Sequence, residues 1–137
     1  MSEANKQLAI RWFEEVWNNQ DESAIDAMYS PDSKSYGFPD PDSVIEGPEG
    51  FKPVHRAFCG AFPDLEVFID ATIAEGDIVA VRWHTEMTHK GDHLGFPASQ
   101  KKVTLNGASF LKIKDGKIIG GWNYLDKGGL FQHLQTP

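Results

Sequence analysis

Apolar residues recur with helical spacing along the first part of the chain and with strand spacing along the second. Over 4–18, Ala9, Trp12, Phe13, Val16 and Trp17 share one face while Lys6, Arg11, Glu14 and Glu15 take the other, which predicts an amphipathic helix. Asp21 is placed to cap a short second helix through Ala24, Ile25, Met28 and Tyr29. Their Pro and Asp content makes SPDSK at 30–34 and FPDPDS at 38–43 read as loop, with SYGF between them as a short strand. A third helix is expected to open at Gly47-Pro48, with proline in its first turn. Phe51, Val54, His55, Phe58 and Phe62 lie on its apolar face, Pro53 predicts a kink or an irregular start, and Phe62-Pro63-Asp64 ends it.

Beyond that break the period changes to two. In LEVFIDATIA at 65–74, Leu65, Val67, Ile69, Ala71 and Ile73 alternate with Glu66, Phe68, Asp70 and Thr72. Strand patterns follow at IVAVRWHTEM, at VTLNGASFLKI over 103–113 and at IIGGWNYLD, the last two joined by KDGK at 114–117, whose Asp-Gly suits a type I′ turn. Helices first and antiparallel strands after predict an α+β fold, one unit over 1–137, with helices covering one face of the sheet.

The hairpin supplies a register. If Lys114 pairs with Lys117, Trp122 faces Ser109, Tyr124 faces Gly107 and Asp126 faces Leu105, so all of them share one side of the sheet. That side is the more apolar, and it predicts that Asp126 points inward beside two aromatic rings. A change of one residue in the hairpin reverses the conclusion. On the preceding strand, Val79, Val81, Trp83, Thr85 and Met87 make the apolar face, and Arg82, His84 and Glu86 read as an outward ladder of compensating charges.

Composition narrows the picture further. The 137 residues hold 20 acids against 13 Lys and Arg, a net charge of −7, which disfavours nucleic acid and anionic membrane as main partners. No apolar run approaches the roughly 20 residues that span a bilayer, and the start lacks a basic stretch followed by an apolar one, so a cytoplasmic location is expected. The single cysteine, Cys59, excludes an internal disulfide and reads as a buried structural thiol. His89 and His93 are four apart, but the glycines of THKGDHLG argue against the helix that would let them share a metal.

The stretches AFPDLEV at 61–67, EGDIVAVRW at 75–83, THKGDHLGFPASQKKV at 88–103 and DGKIIGGWNYLDKGGLFQHL at 115–134, together with FEEVWNNQD at 13–21, resemble the SnoaL-like polyketide cyclases of the NTF2-like superfamily. The resemblance covers essentially the full chain. It implies an NTF2-like (cystatin-like) cone, a curved antiparallel sheet wrapped around the N-terminal helices with an internal cavity, commonly as a homodimer and without metal or organic cofactor. In characterised cyclases of this kind, an aspartate after the last-strand tryptophan acts as acid and base in an intramolecular aldol ring closure. Asp126 occupies that position. Where the family often shows Glu-Glu before the tryptophan, this chain has Gly120-Gly121.

An aldol closure needs a base for the proton between two carbonyls and an acid for the new alkoxide, and one carboxylate can serve as both. Asp126 is therefore the catalytic candidate, and Trp122, Tyr124, His55, Trp83 and Trp17 are the candidates to contact a small hydrophobic ligand. Tyr124 can also be read as sheet packing and His55 as a core histidine. Two other functions remain open: a ketosteroid-isomerase-like proton shuttle, which needs an additional acidic partner, and a non-catalytic small-molecule-binding protein that keeps the cone without the reaction. Epoxide hydrolysis would need Arg82 to face inward.

Overall fold

The computed structural model describes residues 2–136. Helix α1 (Ser2–Arg11) runs without interruption into a π-helical segment, Trp12–Asn18, in which the Asn19 N–H reaches the Glu14 carbonyl at 2.8 Å. Helix α2 (Ser23–Met28) follows, and the Asp21 carboxylate accepts the Ser23 N–H at 3.0 Å, the capping contact its sequence position predicts. Strands β1 (Tyr29–Tyr36) and β2 (Val44–Glu46) lead into α3 (Gly47–Ala61), which continues through Pro53 as one helix. Strands β3 (Glu66–Glu75), β4 (Ile78–Thr88), β5 (Lys102–Lys114) and β6 (Lys117–Leu125) come next, and α4 (Lys127–Gln135) closes the chain.

The six strands form one sheet in the order β2-β1-β6-β5-β4-β3, antiparallel except for the parallel pair β1 and β6. The sheet curls around the helices, α1 packing on β3 and β4 and α3 on β1 and β2. The expected α+β cone is therefore present. One expected loop is not: SPDSK forms most of β1, with Ser33 and Ser35 buried and Pro31 near the strand's start, where its missing N–H is tolerated. At the free edge of β3, the Asn18 amide donates to the Val67 carbonyl at 3.0 Å and accepts the Val67 N–H at 2.6 Å, standing in for a further strand.

Two β-bulges decide which side chains face the helices. In β3 the register with β4 shifts between Ile69 and Ala71, so Asp70 is the extra residue. Val67 and Ile69 face inward as expected, but beyond the bulge Thr72 and Ala74 do so, and Ile73 is 69% exposed. In the β5–β6 hairpin Asp115 and Gly116 both have positive φ, 52° and 74°, as a type I′ turn requires, and Lys114 pairs with Lys117. Ile113 still pairs with Ile118, yet the next pair is Lys112 with Gly120, and Ile119 is the extra residue.

That second bulge corrects the placement of four expected inward residues. Trp122 pairs with Phe110 and Tyr124 with Ala108, both on the outer face, where Tyr124 is 62% exposed. Gly121, Asn123 and Leu125 take the inner positions opposite Leu111, Ser109 and Gly107. Asp126 is exposed and lies past the strand, where it accepts the Gly129 N–H at 2.9 Å and caps α4. Gly120 is likewise shifted out of the inner row, while Val79, Val81, Trp83, Thr85 and Met87 keep their expected inward face.

The loop after β4 is pinned to the body. His89 is fully buried between Phe62 and Phe96, its Nδ1 accepts the Ser99 N–H at 3.0 Å, and its proton therefore sits on Nε2, which has no acceptor. His93 is instead half-exposed and lies over Gly60, so the two histidines do not converge.

Two outcomes are expected. Gly107 lies under the Trp83 indole, and a Cβ there would overlap the ring. Gly107→Ala should cost about 1–3 kcal/mol in urea unfolding, since the ring has to leave its rotamer. Burial lowers the pKa of His89 below its ordinary value. The unfolded chain then binds the proton first, so the stability that the neutral ring supplies is lost as pH falls through about 6.5. Denaturant melts between pH 7.5 and 5 should show that decline, and His89→Asn should flatten it.

Candidate functional site

The inner face of the sheet and the aromatic faces of the helices enclose an elongated cavity. The wide turns of the π-helical segment bring Trp12, Phe13 and Trp17 together onto its wall, and α3 adds Phe51 and Phe58. Trp12 meets Phe51 edge-on at 5.1 Å, and Trp17 meets Phe51 at 6.0 Å, so the wall is a continuous aromatic cluster. From the sheet come Val67, Trp83, Met87, Leu105, Leu111, Ile118 and Leu125, and Leu65 adds to them from just before β3.

Polar atoms inside form two groups. Trp83 Nε1 donates to Ser109 Oγ at 3.1 Å, Ser109 donates to Asn123 Oδ1 at 2.8 Å, and Asn123 Nδ2 donates to the Tyr36 carbonyl at 3.1 Å. On β1, the Tyr29 and Ser35 hydroxyls share one hydrogen bond of 2.6 Å. Burial raises the pKa of the Tyr29 phenol, so it stays protonated at neutral pH. No carboxylate, lysine, arginine or histidine lines the cavity among the described residues.

The 37–43 segment lies against the cavity through Phe38 and is tied to the start of α4. Phe38 enters the cavity and packs on Phe58 at 5.1 Å and edge-on against Trp17 at 5.9 Å. Its segment is held by an ion pair of 2.6 Å between Asp40 and Lys127, whose ammonium also sits 4.5 Å from the centre of the Phe131 ring. With Phe38 inside, the cavity volume is about 70 Å³, well below the roughly 300–1,000 Å³ of typical ligand clefts. Asn123 and Leu125 line both the cavity and a groove outside it bounded by Tyr36, Pro41, Trp122 and Tyr124.

Of the residues singled out by sequence, Trp17 and Trp83 line the cavity. His55 does not: it is buried, its Nε2–H donates to the Val16 carbonyl at 2.5 Å, and its ring stacks edge-on against Trp17. Val16 lies in the last turn of the segment, whose carbonyls have no donor within the helix, so His55 satisfies a backbone acceptor that the helix end leaves open. Trp122 and Tyr124 stand on the outer sheet face, Trp122 stacked on Tyr36 and Tyr124 edge-on to Phe110. Asp126 borders a separate rim groove with Leu105, Asn106 and His133. Burial pushes the Cys59 thiol up to about 11, so it is no nucleophile at neutral pH. Ser109 stands on the inner face that the alternation of β5 predicts, whereas Asn123 turns inward only through the Ile119 bulge and Ser35 only through the pairing of β1 with β6.

The SnoaL-like polyketide cyclase family model matches residues 7–134. Among solved structures, a SnoaL-like polyketide cyclase candidate from Jannaschia sp. CCS1 superposes with a TM-score of 0.90 at 24% identity, covering 100% of this chain and 95% of the other. A polyketide cyclase candidate from Acidithiobacillus ferrooxidans gives 0.79 at 28%, covering 96% and 94%. AclR from Streptomyces galilaeus, described as a candidate hydroxylase, gives 0.85 at 26%, covering 100% and 89%. No curated protein sequence matches the chain. One cone thus carries differently described chemistries, and the fold by itself does not assign the reaction. With its cone, its enclosed apolar cavity and a family match over nearly its whole length, the chain belongs to the SnoaL-like polyketide cyclase family.

Proposed function

We propose that the protein takes a small hydrophobic carbonyl compound into the cone and catalyses a cofactor-independent proton transfer on it, an intramolecular aldol ring closure or a related step, with Asp126 as acid and base. The observation that carries this reading is the apolar, aromatic-walled cavity with a short neutral hydrogen-bonding row. Asp126 follows Leu125 of the cavity wall and shares the rim groove with Leu105, another wall residue. Its Oδ1 is held by the Gly129 N–H, and Oδ2 has no hydrogen-bond partner among the described residues.

In the proposed step, Asp126 removes the proton between two carbonyls. The resulting enolate carbon attacks a further carbonyl of the same molecule, and the alkoxide takes the proton back from the carboxylic acid. No other reactant is needed. Holding both ends of a flexible chain in one aromatic slot would supply much of the acceleration. The exposure of Asp126 favours a second reading, a cone that binds the same kind of ligand without reaction.

Deuterium exchange at the acidic carbon of 2-acetylcyclohexanone, followed by NMR in D2O, separates the two. Wild type should accelerate exchange, and Asp126→Asn should lose about 10²–10⁴-fold of that acceleration. Asparagine caps a helix as well as aspartate does, so thermal stability should hold, whereas Asp126→Ala should cost about 1 kcal/mol. Exchange at the wild-type rate in Asp126→Asn would remove the acid/base role.

The outer sheet face presents Tyr36, Phe110, Trp122 and Tyr124, all exposed, beside Arg82, Lys112, Glu86 and the His84–Asp70 pair at 2.9 Å. Apolar rings among charges of both signs suit a self-complementary two-fold contact, and we read this face as the seat of a second copy. Sedimentation should show a dimer for wild type and a monomer for Trp122→Lys. A monomeric wild type at tens of micromolar would refute it.

A further inference from the structure

The cavity's polar atoms are unevenly satisfied, and the imbalance identifies where a ligand would be held. Thr85 Oγ1 accepts the Leu105 N–H at 3.2 Å and donates to the Leu105 carbonyl at 3.5 Å, so it has no donor to spare. The Trp83 indole spends its only donor on Ser109, and the Ser109 proton is spent on Asn123. Asn123 is different. A primary amide has two N–H donors, and only one is used, on the Tyr36 carbonyl. Its orientation is fixed, because a flipped amide would set its oxygen against that carbonyl oxygen.

Two hydroxyls joined by one hydrogen bond also leave one proton without an acceptor, and this is the state of Tyr29 and Ser35. Ser33, fully buried two residues earlier on the same strand, lies beside the Tyr29 phenol and offsets part of the rise that burial gives its pKa, with its Oγ outside hydrogen-bond geometry of any described residue. Ser35 lies opposite Gly121 on β6, and Asn123 is two residues further along the same face. A Cβ on Gly121 would come within 3.2 Å of Ser35 Oγ, so the glycine leaves the hydroxyl room. The spare donors therefore stand roughly 7–8 Å apart at the backbone, a diagonal pair of sheet positions.

We propose that the Asn123 amide and the Tyr29–Ser35 hydroxyl pair are the recognition site of the cavity, accepting carbonyl or hydroxyl oxygens of an uncharged ring compound and rejecting anions. Both groups are net donors, so they fit oxygens that accept. With no cation on the wall, a carboxylate would be desolvated without a counter-charge, which is far more costly than burying a ketone. Asn123 also lines the groove outside the cavity, so a ligand entering from that groove meets this selection on its way in. The inference rests on the cavity being the ligand site, as proposed above, and does not involve Asp126.

Three probes of one ring size test it: cyclohexane, cyclohexanone and cyclohexanecarboxylate, titrated at pH 7.5 against 15N-labelled protein. Cyclohexanone should shift the Asn123 side-chain amide resonances and bind at least fivefold more tightly than cyclohexane, and the carboxylate should bind at least tenfold more weakly than the ketone. Asn123→Leu, similar in shape, should remove the ketone's advantage while leaving cyclohexane affinity within twofold. Ser35→Ala should reduce the advantage in the same manner, and it serves if Asn123→Leu does not fold. If cyclohexane binds but cyclohexanone gains nothing, or its gain survives both substitutions, the recognition site is overturned and the cavity stands. If cyclohexane fails to bind in the cavity at all, the cavity reading falls and this inference with it.

Discussion

A β-bulge adds one residue to one strand, and every side chain beyond it turns to the other face. Ile119 is that residue in β6, and the chemistry of the interior depends on it. Asn123 and Leu125 reach the cavity because of it, and Trp122 and Tyr124 leave the cavity for the outer face. Without the bulge the cavity would hold two more rings and lose its amide. The same shift carries the chain out of the strand at Asp126 in a position to cap α4.

The interior is built by aromatic packing and kept electrically neutral. Burying one large apolar side chain contributes about 1.5–3 kcal/mol, and Trp12, Trp17, Phe51 and Phe58 are each no more than 8% exposed. The chain's excess of 20 acids over 13 Lys and Arg is all accommodated outside this wall. A cavity without charge has no field of its own to draw in an ion, and its selectivity comes from shape and from a few donors. His55 and Asn18 show the same economy outside the cavity, each using one polar side chain to satisfy backbone that the helix end or the sheet edge leaves open.

Much of this organisation was legible in the residues. The helical period of Trp12, Phe13, Val16 and Trp17, the alternation in β4 and the Asp-Gly turn each specified an element, and Trp17 and Trp83 were identified as wall residues from their faces alone. Four features were not legible, for separate reasons. Periodicity does not distinguish a π-helical turn from an α-helical one over seven residues. Ile118 and Ile119 are identical side chains, so nothing in the pair marks which one leaves the ladder. SPDSK carries loop-like residues in a strand that pairs with both β2 and β6, and the two glycines of Lys127–Gln135 conceal a helix that the Asp126 cap supports. The candidate carboxylate was found by resemblance, and its inward orientation was the part that depended on an unbroken hairpin.

The 37–43 segment gives the cone a closed resting state. Phe38 fills space that a ligand would need, and the Asp40–Lys127 pair fastens the segment to α4 from outside. Two sets of groups thus border the cavity: donors on its wall face a guest, while a partly exposed ion pair tethers the segment that carries Phe38. A guest of ordinary size therefore needs the space that Phe38 fills, and the tether of its segment, an ion pair partly open to solvent, weakens as salt rises.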